Sequence, residues 1–182
     1  DTAEKLGAMI HTHVDETAKE HQDCLDQYGK TPVEHLNDIG LFDIPTIAAH
    51  CVHVTEDDLD IMKKKKVTLA HNPGSNLKLG SGIAPVPTAM KKGVNVALGT
   101  DGASSNNNLN MWEEINLAAL IHKGALMDPL AVKAHEAFMA ATVNGAKALG
   151  FTNSGKICVG YQADMVLLNI TKPHYLPEHN LV

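Results

Sequence analysis

The sequence predicts an α/β fold built on a parallel sheet. Three observations carry this reading. Four short apolar runs each end in His or Asp and are followed by a turn. Helical patterns lie between them. The runs are apolar on both faces, as buried parallel strands are. The chain of 182 residues is 44% hydrophobic and 20% charged. That is about one domain in length, and a chain of this size buries roughly 70% of its unfolded surface.

The strand candidates come in order. Leu6-Gly7-Ala8-Met9-Ile10-His11-Thr12-His13 is the first. Thr46-Ile47-Ala48-Ala49-His50-Cys51-Val52-His53 is the second. Val67-Thr68-Leu69-Ala70-His71 is the third, closed by Asn72-Pro73-Gly74. Val94-Asn95-Val96-Ala97-Leu98-Gly99-Thr100-Asp101 is the fourth, closed by Gly102. Helices are expected over 15–29 and 32–40, between the first two runs. A third, over 55–65, opens with the capping box Thr55-Glu56-Asp57-Asp58 and ends in lysines, which suits the helix dipole. A short helix over 87–93 stops at glycine. Longer amphipathic helices are expected over 110–124 and 128–150. Strands alternating with helices give right-handed βαβ units. Residues 1–150 therefore read as one α/β unit. From Gly155 to Asn169 the character changes, and two short strands around a Gly-rich turn are expected, in a small β appendage over 151–182.

Composition narrows the function classes. Lys plus Arg is 15 and Asp plus Glu is 21, a net charge of −6, and every basic residue is Lys. Without Arg, bidentate phosphate or guanine reading is absent. A net acidic chain is also a poor counterion-releasing binder of nucleic acid. The run Lys63–Lys66 reads as a solvated helix end. No apolar run reaches the ~18 residues of a membrane helix, and the polar start Asp1-Thr2-Ala3-Glu4-Lys5 does not resemble a signal peptide. Three cysteines without a CxxC pair fit a reducing cytoplasm better than a disulfide scaffold. The expectation is a cytoplasmic protein that acts on a small molecule.

Histidine is the outlier, with 11 residues. His13, His50, His71 and Asp101 close four successive strand candidates. Ligands of parallel α/β folds gather at that edge, so the four are expected to converge. Imidazole and carboxylate are ligands for zinc and similar ions. Asp101 in Leu-Gly-Thr-Asp-Gly could ligate a metal and accept a proton from water, or serve only as a turn Asp. Glu16, three residues after His13, could face the same pocket or simply favour a helix start. His11 and His13 share one strand face, so two assignments stay open: an HxH metal pair, or His13 with Glu16. His53 is expected in the loop or behind the ligands, and Trp112 with Asn106–Asn108 at the mouth. His21, His35, His122, His135, His174 and His179 form no pattern and read as surface or helix residues. No GxSxG, P-loop or GxGxxG occurs.

The motifs His13-Val14-Asp15-Glu16-Thr17, Thr46-Ile47-Ala48-Ala49-His50-Cys51-Val52-His53 and His71-Asn72-Pro73-Gly74-Ser75-Asn76-Leu77-Lys78-Leu79 resemble the amidohydrolase superfamily. So do Gly82-Ile83-Ala84-Pro85-Val86 and Gly99-Thr100-Asp101-Gly102-Ala103-Ser104-Ser105-Asn106-Asn107. The resemblance is greatest to 5′-methylthioadenosine/S-adenosylhomocysteine deaminases, with triazine chlorohydrolases and guanine deaminase as relatives. It implies a metal-dependent (β/α)8 barrel with a small β-sandwich, and zinc, or else iron, as the metal. By motif, His13 resembles the fifth-strand metal ligand, and Glu16 the acid that serves the purine ring nitrogen. His50 resembles the sixth-strand histidine that steadies the attacking water. His71 resembles the seventh-strand histidine behind the ligands. Asp101 resembles the eighth-strand ligand and general base. Ser105 resembles a hydroxyl on the substrate base.

The first residues match the family's fifth strand. The expectation is therefore the C-terminal half of the barrel, strands five to eight, with an incomplete metal site of His13 and Asp101. The N-terminal HxH of the family has no counterpart, because the residues after His11-Thr12-His13 match strand five. The expected activity is hydrolytic deamination of adenosine-type thioethers to an inosyl product and ammonia, with a purine nucleoside as the small-molecule partner. The chain alone is expected to be inactive until the missing half is supplied, and to associate with that half or with a second copy of itself. Triazine dechlorination or guanine deamination on the same scaffold, and an inactive half-barrel module, are the alternatives.

Overall fold

The computed structural model describes residues 2–171. In chain order these form α1 (Thr2–Leu6), β1 (Ile10–Val14), α2 (Ala18–Tyr28), α3 (Pro32–Asp38), β2 (Thr46–His50), α4 (Glu56–Lys65) and β3 (Thr68–His71). There follow α5 (Pro73–Leu79), α6 (Val86–Lys92), β4 (Asn95–Leu98), α7 (Ala103–Asn106), α8 (Met111–Leu126), α9 (Ala134–Ala141) and α10 (Val143–Ala148). The four strands make one sheet in the order β1-β2-β3-β4, and every neighbouring pair is parallel. The α/β reading from the four apolar runs holds.

Register separates two faces. Ala48, Leu69 and Val96 are aligned across β2, β3 and β4. They enter the core with Leu59 and Met62 of α4, Val86 and Ala89 of α6, Ala118 of α8 and Ala137 of α9. Fully burying Leu59, Met62 and Leu69 contributes roughly 1.5–3 kcal/mol each. One residue along, His13, Ala49, Ala70 and Ala97 align on the opposite face. That face lines a cleft of about 510 Å³, flanked by Gly145, Ala148 and Leu149. The helices cover one face, and the histidines of β1 look out from the other.

The helix signals act where the sequence places them. Thr55 caps α4 by accepting from the Asp58 N–H, the reciprocal bond completes the box, and Lys63, Lys64 and Lys65 fill the last turn. Thr31 and Glu34 form a second capping box at α3, with Pro32 in the first turn. Gly29 ends α2 in the left-handed conformation at φ 65°, where glycine escapes the Cβ clash.

Four expectations change. The expected 128–150 helix is two, because the chain turns at Thr142 (φ −125°, ψ −90°). The turn lets Asn144 Nδ2 donate to the Val96 carbonyl at 2.9 Å and Asn95 Nδ2 donate to the Asn144 carbonyl at 3.1 Å. Asn72-Pro73-Gly74, expected as a turn, opens α5, since proline fits a first helical turn. The first strand begins at Ile10, and Thr2–Leu6 is helical. Residues 151–169 form no strand. Val159 and Leu167 are fully exposed there, and a strand forms only where a neighbour takes its backbone groups. His174 and His179 lie outside the described residues.

Candidate active site

The site is built at the ends of the strands. β1 delivers His13, and the loop after it brings Glu16. β2 ends in His50, the start of α5 carries Ser75 and Asn76, and the turn after β4 carries Asp101. Asp15, His50, Cys51 and Asp101 all take left-handed backbone, with φ of 54°, 73°, 49° and 60°. None is glycine, so each costs about 1–2 kcal/mol. Such outliers cluster at functional sites. Here they turn side chains off the strand alternation. The Cys51 N–H donates to the Val14 carbonyl, and the Val52 and His53 N–H groups donate to the Asp15 carbonyl. These bonds hold the turn after β2 against the loop after β1.

His13, His50 and Asp101 converge: one ligand atom from each lies within 4.8 Å of the others. The His13 and His50 rings stack at 5.2 Å. His50 Nε2 is 3.8 Å from Glu16 Oε2 and 3.9 Å from Asp101 Oδ2. The His50 ring is buried. Its Nδ1 donates to Asn76 Oδ1 at 2.8 Å, which leaves the Nε2 lone pair facing the two carboxylates. That nitrogen is buried without a hydrogen-bond partner. Imidazole and carboxylate atoms this near one another are donors of the kind a divalent ion such as zinc takes.

Burial pushes the Asp101 carboxyl up, but its hydrogen bonds prevail and hold it below the ordinary carboxylate value. Ser75 Oγ donates to Oδ2 at 2.7 Å, and the Gly102 N–H donates to Oδ1 at 2.7 Å. His50 and the Ser105 hydroxyl act in the same direction. Glu16 Oε1 accepts from Ser81 Oγ at 3.1 Å, and the Ser81 carbonyl faces His53 Nε2 at 2.9 Å. Behind Glu16, the Glu20 carboxylate accepts the Asp15 and Glu16 N–H groups at 2.7 and 2.8 Å. Asp15 is buried, which raises its carboxyl above the usual range, although the His21 ring at 2.9 Å opposes this.

The expected convergence of four groups is corrected at His71. It stands outside the cluster and faces α8, where its Nε2 lies 3.3 Å from Nε2 of His122. Ala70 lines the cleft, so the strand alternation sends the next residue to the helix side. Burial, and then the neighbouring His122 and His50, push the His71 ring down to about 3, while burial pushes His122 down to about 4. Both rings are neutral at pH 7. His122, expected as a surface or helix residue, is a buried core residue of α8. His11 shares the His13 face but stays outside the three-residue group. Trp112 is half exposed and leans on Phe138 at 6.4 Å. The sequence assigns no role to Ser75 and Asn76 inside their motif, places His21 only as a surface or helix residue, and does not mark Ser81 or Glu20. Their place in or near the motifs is the only signal, since hydroxyls and amides have no periodic signature.

The sequence pattern of the amidohydrolase family matches residues 1–180. A 5-methylthioadenosine/S-adenosylhomocysteine deaminase of Thermoanaerobacter pseudethanolicus is 55% identical over 183 residues, covering 100% of this chain. A 5′-deoxyadenosine deaminase of Methanocaldococcus jannaschii is 49% identical over 181 residues, covering 99% of this chain. The chain spans 42% and 43% of the length of these two relatives. Among solved structures, an adenosine deaminase from Xanthomonas campestris with bound zinc superposes with a TM-score of 0.94 at 39% identity, over 99% of this chain and 41% of that one. An atrazine chlorohydrolase from Arthrobacter aurescens complexed with zinc gives 0.90 at 27% identity, over 98% of this chain and 40% of that one. With the family pattern matched over residues 1–180 and these relatives 49–55% identical over 99–100% of its length, the chain belongs to the amidohydrolase family.

Proposed function

We propose that this chain supplies the catalytic wall of a hydrolytic deaminase acting on adenosine-type thioethers, giving an inosyl product and ammonia. The observation that carries the reading is the meeting of His13, His50 and Asp101 within 4.8 Å, with Glu16 beside them. The deaminase relatives above support the substrate class. The four-stranded sheet is taken as strands five to eight of a (β/α)8 barrel. Residues 1–150 are its hydrolase part, and 151–182 part of a composite β-sandwich.

His13 and Asp101 would hold a divalent ion, for which zinc is the reading, and that ion would supply Lewis acidity and an acidified water. Asp101 accepts a proton from the attacking water, which a carboxylate already held ionised by Ser75 and Gly102 can do. Glu16 donates a proton to the ring nitrogen next to the amino-bearing carbon. His50 presents Nε2 between the two carboxylates and steadies the water as it attacks. Ser105 offers a hydroxyl to the base. Asp101 then passes its proton to the amino nitrogen, the C–N bond breaks to release ammonia, and Glu16 regains a proton from the hydroxyl on the same carbon as it becomes the carbonyl.

The test is ammonia release from methylthioadenosine, S-adenosylhomocysteine and guanine and chloride release from atrazine, with zinc content measured alongside. Release is expected from the two thioethers only, once the strands that complete the barrel are present in the same polypeptide or as a second chain. The chain alone is expected to be silent. Asp101→Asn in the complete enzyme should remove nearly all turnover, and retained activity would reject its role. Preference for guanine or atrazine would move the chain to another chemistry on the same scaffold.

A further inference from the structure

We infer that Glu114 is a positioning residue, a buried carboxylate on α8 that ties the start of α5 to the turn after β4 and thereby sets Asp101. The inference rests on reading the strand-end cluster as a metal site. Glu114 is fully buried. Its Oε2 accepts the Gly74 N–H at 2.9 Å, and its Oε1 accepts Asn106 Nδ2 at 2.8 Å. The same Asn106 nitrogen donates to the Thr100 carbonyl at 2.7 Å. Each of these ties falls one residue from the acid's own fixings. Gly74 precedes Ser75, whose hydroxyl holds Asp101 Oδ2 at 2.7 Å. Thr100 precedes Asp101 itself.

Both partners of the carboxylate are donors, so both of its oxygens must accept. Packing leaves no slack in this arrangement. A Cβ on Gly74 would lie 2.5 Å from Glu114 Oε1 and 2.8 Å from Asn106 Nδ2. The glycine is therefore the space in which the carboxylate sits. Burying a carboxylate with no cation is costly unless hydrogen bonds satisfy it, and a purely structural role on α8 would be served by an apolar side chain. Asp101, by contrast, sits on strained left-handed backbone at φ 60° and needs an outside restraint. Neighbours that orient ligands in this way typically shift metal affinity by about 10–100-fold when removed.

Glu114→Gln is the discriminating variant. It keeps the shape but places an NH2 against one of the two donors, so one tie breaks. The enzyme with its barrel completed, wild type and variant, is titrated with Co²⁺, and its visible bands are recorded. The variant is expected to melt cooperatively but to bind Co²⁺ about 10-fold or more weakly, with altered band shape. Unchanged Co²⁺ affinity and bands with only a lowered Tm would overturn the inference and leave Glu114 a packing residue. Amide hydrogen exchange provides a second readout free of metal. Glu114→Gln should speed exchange at Gly74 and at Gly102 together. Faster exchange at Gly74 alone would also overturn it. A completed wild-type enzyme that takes up no Co²⁺ would refute the metal reading of the site, and the exchange result then decides for Glu114 by itself. Should Glu114→Gln fail to fold, Asn106→Ser cuts the tie to Thr100 from the half-buried side chain opposite and is held to the same Co²⁺ outcomes.

Discussion

At His50 the backbone accepts a left-handed conformation, and what the ring then reaches explains why it is worth the strain. An extended residue there would follow the strand alternation, away from Ala49 and the cleft. With φ at 73°, the ring instead stacks on His13 and points Nε2 between Glu16 and Asp101. Asn76 fixes the rest by accepting from Nδ1. Asn76→Ala is expected to leave that N–H unpaired, at a cost of about 1–3 kcal/mol, and to weaken Zn²⁺ or Co²⁺ binding by about 10-fold or more. Urea unfolding and metal titration measure the two effects separately, and unchanged metal affinity would deny Asn76 its orienting part. The buried pair His71 and His122 makes a different prediction. Their folded values, about 3 and about 4, lie below the ordinary 6.5, so the unfolded chain binds more protons in between. Stability is thus full above pH 6.5 and falls as acid approaches these lower values. Between about pH 7 and about pH 5 the loss should be on the order of 1–2 kcal/mol per ring. His122→Gln keeps a hydrogen-bonding partner for His71 without titrating, so its urea midpoint should depend less on pH than that of the wild type.

Among the elements, α4 and α8 carry opposite kinds of information. The start of α4 is written in four consecutive residues. Thr55 caps it, and Asp58 closes the box while also accepting from Thr31 Oγ1 at 2.5 Å. Thr55→Ala should cost about 1 kcal/mol and lower Tm by about 2–4 °C, with metal binding unchanged. A calorimetric scan reads it directly. In α8 the informative residues are Glu114, Ala118 and His122, buried at a spacing of four on one face. The helical period is legible in the sequence. That the polar residues Glu114 and His122 are buried there, and meet Gly74 of α5 and His71 of β3, is not. Their partners Gly74 and His71 lie 40 and 51 residues away in the chain, beyond any local pattern.

At the scale of the whole molecule, the sheet has one helix-covered face and one face open to the cleft. β1 pairs only with β2 among the described strands, and His11 and His13 on it are exposed. Edges and apolar surfaces of this kind invite pairing. Ile157, Val159, Val166 and Leu167 add 78–101% exposed apolar side chains beyond α10. The chain alone is therefore expected to sediment above its 19.5 kDa, or to sharpen to one complex when a polypeptide carrying the remaining barrel strands is added. A well-behaved monomer that ignores such a partner would refute the proposed completion. Among the described residues no helix is long and apolar enough to cross a membrane.

By itself the sequence determined the strand count of the sheet, its parallel sense, the capped start of α4 and the positions of His13, Glu16, His50 and Asp101 at the strand ends. These follow from short-range rules: apolar runs of strand length, cap residues, and His or Asp where a run stops. Tertiary structure decided which of these groups meet. The sequence treats His50 and His71 alike, each closing an apolar run. Folding separates them, because one positive φ turns His50 into the cleft while the regular alternation of β3 turns His71 into the helix layer. It also decided the fate of residues 155–169, whose strand-like pattern stays unpaired because a strand's hydrogen bonds are made to another strand and not within itself.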